Sequence, residues 1–263
     1  MVIIGLGSAG INIANKFKKW PQYDVILPSM DTYETVEEQE ENTPDFSDLF
    51  KNVEGEVWFI VCGISKQAAS SLKILEKIKH CNIKVLYIQP DLGLAANMAR
   101  KRERVVYKVL QEYTRSGLLD SMYVISNPRL SEIVGHGSII NYYDNMNDAM
   151  SSVVHYYNIY RNTQPVFGQT HKTKDISRIR TFGIYDLEKN EEKLFFPLDN
   201  TTETCYIYNI TKEELENNHN LLPKIKERAK ERVSDEVITS FSIFSTDFEE
   251  NFCHVVAYTH FIQ

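Results

Sequence analysis

The first half of this chain alternates short apolar runs with helix-patterned segments, and that alternation fixes the fold class before any motif is considered. Val2–Ile4, Asp24–Leu27, Val57–Cys62, Lys84–Gln89 and Met122–Ser126 read as strands. Between them, Ile11–Trp20, Ser65–His80 and Ala95–Arg115 carry apolar residues at threes and fours, the helical period. Strand–helix–strand repetition of this kind predicts an α/β domain with a parallel sheet. The stretch Asp31–Asp48, with Glu37, Glu38, Glu40 and Glu41, lacks apolar periodicity and reads as a solvated loop.

The longest helical pattern, Ile139–Tyr160, places Ile139, Ile140, Tyr143, Met146, Met150, Val153, Val154, Tyr157 and Tyr160 on one stripe. A helix of about 22 residues would run about 33 Å, enough to cross a domain. Behind it the pattern changes. Arg180–Tyr185, Lys193–Pro197, Thr204–Ile210, Val237–Ser245 and Asn251–Phe261 read as strands, and Thr211–Glu214 is a capping box that opens a helix. The expected organisation is a Rossmann-like parallel-sheet domain over residues 1–138, a long central helix over 139–160, and a smaller α+β domain of mostly antiparallel strands over 161–263.

Composition narrows the functional classes. The 263 residues carry a net charge of −7, which argues against nucleic acid or an anionic membrane as a partner. Cys62, Cys81, Cys205 and Cys253 show no metal-like spacing and fit reduced thiols in an intracellular, cytoplasmic protein. No apolar run approaches the ~20 residues of a membrane span. Met1 runs straight into a strand and a glycine turn, so no signal peptide is expected.

The chemistry begins at Gly5, Gly7, Ser8 and Gly10, in the turn between the first strand and its helix. Glycines there let backbone N–H groups approach a phosphate, and the helix terminus favours the anion. A dinucleotide-binding turn is one reading, with Asp31 placed after the second strand as a ribose-binding carboxylate. A purely structural turn is another. No acid/base constellation accompanies the turn, which weighs against an NAD(P)-dependent oxidoreductase.

Further along, the glycine turn is followed by Asn12 and Asn15, and Ser29-Met30-Asp31 comes after the second strand. With the turn, these residues resemble the FtsZ/tubulin superfamily, which has asparagine-threonine-aspartate at the latter place. Asp120–Leu130, containing Asn127 and Arg129, is similar to the strand that ends in proline-asparagine-aspartate-arginine-leucine. Tyr142–Met150 resembles the start of the family's central helix, and Cys205–Ile210 and His254–Phe261 resemble two strands of its second domain. These matches fall in the family's order across almost the whole chain.

The resemblance implies a GTP/GDP-binding protein, with Mg2+ as a companion ion, that assembles with copies of itself into head-to-tail filaments. By it, Asn12 and Asn147 match guanine-holding positions, Asp148 the acidic partner of the ring, and Tyr143 the stacking aromatic. Asn127 and Asp31 join the nucleotide set. Arg104 matches the ribose- and phosphate-contacting arginine, with Arg102 as the alternative register. The bland alternatives are a core Tyr143, a solvated Asn147–Asp148 face and a surface cluster over Arg100–Arg104.

Two departures concern the phosphates. The family's glycine- and threonine-rich loop is reduced here to Val61–Ser70 with the single glycine Gly63, leaving Ser65 as a helix cap and Lys66 as a counter-charge. The loop that supplies catalytic carboxylates has no acidic residue between Arg161 and Lys174. Asp175 is the first candidate catalytic group, and His171 a weak substitute. Hydrolysis is therefore expected to be slow or absent, and a pseudo-GTPase serving as a structural or interaction module is the alternative. The sequence ends at Gln263 without the family's tail, so an adaptor-tethered division role is not expected.

Overall fold

In a computed structural model of the chain, residues 1–93, 95–135, 139–169 and 174–263 are described. The chain forms two compact units, Met1–Ser152 with Ile262 and Val153–Phe261 with Gln263.

The first unit is built on five strands: β1 (Val2–Leu6), β2 (Asp24–Ile26), β3 (Glu56–Cys62), β4 (Asn82–Gln89) and β5 (Ser121–Ser126). They lie in the order β2-β1-β3-β4-β5, and every pairing among them is parallel. β1 and β5 are buried at every position and β3 at all but its first, as strands covered on both faces must be. The connections carry α1 (Gly7–Lys16), α2 (Val36–Glu41), α3 (Ser47–Phe50), α4 (Ser71–Lys77), α5 (Asn97–Arg115) and α6 (Asn127–Val134). Val106, Tyr107, Leu110, Gln111 and Thr114 form the buried stripe of α5, at helical spacing.

Helix α7 (Tyr142–Arg161) begins in the first unit and ends in the second. Met146, Met150, Val153, Val154, Tyr157 and Tyr160 are buried along it, but the start of the expected stripe is not. Ile139, Ile140 and Tyr143 are 94%, 91% and 70% exposed. The buried face starts one turn later than the periodicity suggested.

The acidic stretch is also ordered differently from the loop reading. Thr35 caps α2 with a complete capping box, its hydroxyl accepting from Glu38 N at 3.1 Å while the Glu38 carboxylate accepts from Thr35 N. Gln39 is fully buried, donating to Asp31 O and Ser70 Oγ at 3.2 Å each. An amide with those partners satisfies itself inside, so the segment packs despite its charge.

The second unit holds β6 (Phe167–Gly168), β7 (Ile179–Asp186), β8 (Glu191–Leu194), β9 (Glu203–Thr211), α8 (Lys212–Asn217), α9 (Leu221–Glu231), β10 (Ile238–Thr246) and β11 (Phe252–Thr259). Its strands run β7-β11-β9-β10-β6, with β8 on β7. All described pairings among them are antiparallel except β9–β10, which is parallel. The helices α8 and α9 between those two strands supply the crossover that a parallel pair needs. Tyr185, Tyr206, Tyr208, Ile225, Ile243 and Val255 make up the centre of this unit's core.

Candidate functional site

The carboxyl ends of β1, β3, β4 and β5 open onto one cleft of about 290 Å³ in the first unit. Ser8 and Ala9 enter it from the first turn of α1, Ile64 and Ser65 from the loop after β3, and Asn127 and Pro128 from the start of α6. Pro90 and Asp91 close it after β4, and Tyr142 and Tyr143 after the start of α7. Open α/β sheets bind ligands outside the carboxyl ends of their strands where the winding reverses, here between β1 and β3.

Glycine makes the close approach at that point possible. Gly7 has φ +73°, and a Cβ there would lie 2.3 Å from Ser65 Oγ. Gly63 is similarly confined, since its Cβ would lie 1.9 Å from the Tyr87 hydroxyl. Gly5 and Gly10 are buried where β1 and α1 pack together.

Of the residues singled out from the sequence, Ser8, Ser65, Asn127 and Tyr143 line the cleft. Asn12 lies one turn along α1 from Ser8, and Asn147 one turn along α7 from Tyr143, so each continues a cleft-lining face. The two helices are tied together there. Lys16 Nζ lies 2.6 Å from Asp144 Oδ1 and 3.0 Å from Asp148 Oδ2. Asp144, then Asp148, holds the Lys16 ammonium above its usual pKa. The 70% exposure of Tyr143 excludes its reading as a core residue.

The remaining candidates lie outside the cleft lining, and Ser65, within it, plays a different part from the one expected. Ser65 precedes the short 3-10 helix 66–70 but makes no side-chain cap, so its expected capping role is not realised. Lys66 is paired with the Glu34 carboxylate. Asp31 is exposed, and its carbonyl serves Gln39. Arg104 is exposed, whereas Arg102 is 4% exposed and turned inward, donating to Ile64 O at 2.9 Å and Glu34 O at 2.8 Å. Asp175 is exposed in the second unit, on the turn before β7. His171 lies outside the described residues.

Sequence reasoning missed Pro90, Asp91, Cys62 and Tyr142 as lining residues. Applying the strand-end rule to β4 as well as to β1 and β3 would have found Pro90 and Asp91. Burial pushes the Cys62 thiol up to about 11, so it stays protonated at neutral pH.

Whether the cleft suits a polar ligand is decided by its satisfied and unsatisfied groups. Asn127 Oδ1 is buried and has no hydrogen-bond partner. The helices α1 and α6 both start at the cleft without a side-chain cap, leaving first-turn N–H groups for an anion, except at Pro128 of α6, which has none. Among the described residues no group of three His, Cys, Asp or Glu is arranged to hold a metal ion, and the sole carboxylate lining the cleft is that of Asp91.

The chain thus combines a parallel α/β unit, with a cleft across its strand ends, and a smaller mixed-sheet unit. No protein-family model and no curated protein matches the sequence. Solved structures do match, and the fold is that of the FtsZ/tubulin superfamily. A GTPγS-form protofilament of TubZ from Bacillus thuringiensis serovar israelensis matches 97% of this chain and 85% of its own, with TM-score 0.70 and 14% identity. A GTPγS-bound protofilament of CetZ2 from Haloferax volcanii matches with TM-score 0.70 and 11% identity, over 98% of this chain and 92% of its own. An empty FtsZ dimer from M. jannaschii gives TM-score 0.69 and 11% identity, over 98% and 87%.

Proposed function

We propose that this chain binds a guanine nucleotide in the cleft and assembles head to tail with copies of itself, with hydrolysis weak or lost. The observation that carries the reading is the buried, unpartnered Asn127 Oδ1 in a cleft bounded by two open helix starts. A native fold retains such a group where a ligand completes it. In this reading Tyr143 stacks on the base, and Asn12, Asn147 and Asp148 hold the ring. The turn over Gly5–Gly10 and the loop Gly63–Lys66 face the phosphates, and Arg104 stands at their margin. A magnesium ion would arrive on the phosphates, with Asp91 as the nearest lining carboxylate. The assembly half is supported by the similar solved structures of TubZ and CetZ2, both of which are protofilaments.

Weak hydrolysis follows from the chemistry on offer. An attacking water has to be oriented and polarised, a task that a carboxylate performs well, and the chain has no acidic residue between Arg161 and Lys174. No helix among the described residues is long and apolar enough to cross a membrane.

Thermal unfolding with GTP, GDP, ATP and NAD is the direct test, because a ligand at 100 times its Kd stabilises by about 2.7 kcal/mol. GTP and GDP should raise the melting temperature, while ATP and NAD should not. Sedimentation with magnesium and GTP should then pellet the protein. No shift with either guanine nucleotide would remove the binding half, and a supernatant unchanged at high concentration the assembly half.

A second reading is favoured by one observation: among the described residues no cation lines the cleft. On that reading the chain is a pseudo-GTPase kept for its surfaces. Filaments that form equally well without nucleotide, by a protein with no GTP-induced shift, would establish it.

A further inference from the structure

Lys66 follows directly on Ile64 and Ser65, which line the cleft. Lys66 is therefore a cation carried on the loop that lines the proposed phosphate side, although it is not itself among the lining residues. That charge is already engaged, because Lys66 Nζ donates to Glu34 Oε1. A carboxylate oxygen on an ammonium occupies the place that a phosphate oxygen would take. Lys66 in turn holds the Glu34 carboxyl below its usual range.

The position of Glu34 is built into the fold. Arg102, nine-tenths buried, bridges the two strands of the contact, with Nη1 on Ile64 O at 2.9 Å and Nη2 on Glu34 O at 2.8 Å. That bridge sets the spacing between the Glu34 backbone and the loop. The neighbouring segment is anchored separately: Gln67 Nε2 donates to Met30 O at 3.0 Å, and Thr43 Oγ1 to Ser70 Oγ at 2.7 Å. The Glu34 side chain can therefore leave Lys66 while its backbone stays docked. Leaving costs little, since the Lys66 and Glu34 side chains are 37% and 74% exposed and exposed ion pairs are weak.

We infer that Glu34 is a specificity-determining residue of the cleft, an internal competitor that a phosphate-bearing ligand must displace from Lys66. The site then selects against ligands too weakly charged to win the exchange, and the ammonium meets no unpaired interval between its two partners. This rests on the reading of the cleft as a nucleotide site.

The test is calorimetric titration of the full chain with GTP, guanosine and inorganic tripolyphosphate. The proteins are the wild type, Glu34→Gln, Lys66→Met and the double variant, each checked for unchanged thermal unfolding. Glu34→Gln should bind GTP and tripolyphosphate about two- to five-fold more tightly, the worth of an exposed ion pair. Guanosine affinity should not change, and the gain should vanish in the Lys66→Met background. Equal or weaker anion binding by Glu34→Gln, or a gain that persists without Lys66, overturns the inference. If the wild type binds no GTP, the proposed function fails, and the tripolyphosphate titrations still decide the role of Glu34. Tripolyphosphate binding by neither the wild type nor Glu34→Gln also overturns it.

Discussion

Gly7, which precedes the cleft-lining Ser8, and Asn127, which lines the cleft, make opposite demands. Gly7 is needed for shape: at φ +73°, with Ser65 Oγ 2.3 Å from a would-be Cβ, any side chain meets both backbone strain and a clash. Gly7→Ala should destabilise the protein by about 1–3 kcal/mol, seen as a lower urea midpoint at unchanged slope. Asn127 is kept at a cost, because its buried Oδ1 lacks a partner. Asn127→Leu should stabilise the unliganded protein by about 1 kcal/mol while removing the GTP-induced melting shift. An unliganded Asn127→Leu protein less stable than wild type would mean that the amide serves the fold. Residues of this kind were legible only in part. The glycines announced themselves by position, but nothing in Arg100–Arg104 tells which arginine turns inward. That choice depends on the carbonyls of Ile64 and Glu34, far away in sequence, which meet Arg102 only after folding.

The five parallel strands could be read from their apolar runs, because a strand buried on both faces leaves a continuous signal. Helices with mixed or charged sequence were harder. The acidity of α2 gives it the composition of a loop, although Thr35 and Glu38 spell the same capping-box pattern as Thr211 and Glu214. Thr35→Ala should cost about 1 kcal/mol in urea unfolding, and an unchanged midpoint would show that Gln39 alone holds the segment. The parallel pairing of β9 with β10 was also readable in principle, since the stretch from Lys212 to Val237 is far longer than a hairpin needs. β11 adds a pH dependence that no pattern announces. His254 is packed among Tyr156, Tyr160 and Phe252, and burial drives its pKa down from 6.5 to about 4. The unfolded chain then takes up the proton first, so stability falls as pH drops from 6.5 to about 4 and levels off below. Replacing His254 with Phe should flatten that part of the stability–pH curve, and an unchanged slope would assign the proton uptake to other groups.

The ordered motifs reached the fold at 11–14% identity to the solved structures because a fold of this size constrains many separated segments at once. Assembly is a matter of the whole surface. Each copy carries a net charge of −7, so subunits brought end to end repel one another at long range, with a screening length of about 10 Å at 0.1 M salt. A head-to-tail contact joins two different faces, and local pairing of opposite charges across it acts in the other direction. Exposed pairs are individually weak, each worth about 1 kcal/mol or less, whereas net repulsion grows with every subunit added. Screening should therefore favour the polymer. If the proposed filament forms, its critical concentration in a pelleting assay should fall as potassium chloride rises from about 50 to 300 mM, across which the screening length shortens. A critical concentration that rises instead would show that charge pairs across the subunit junction outweigh the overall repulsion.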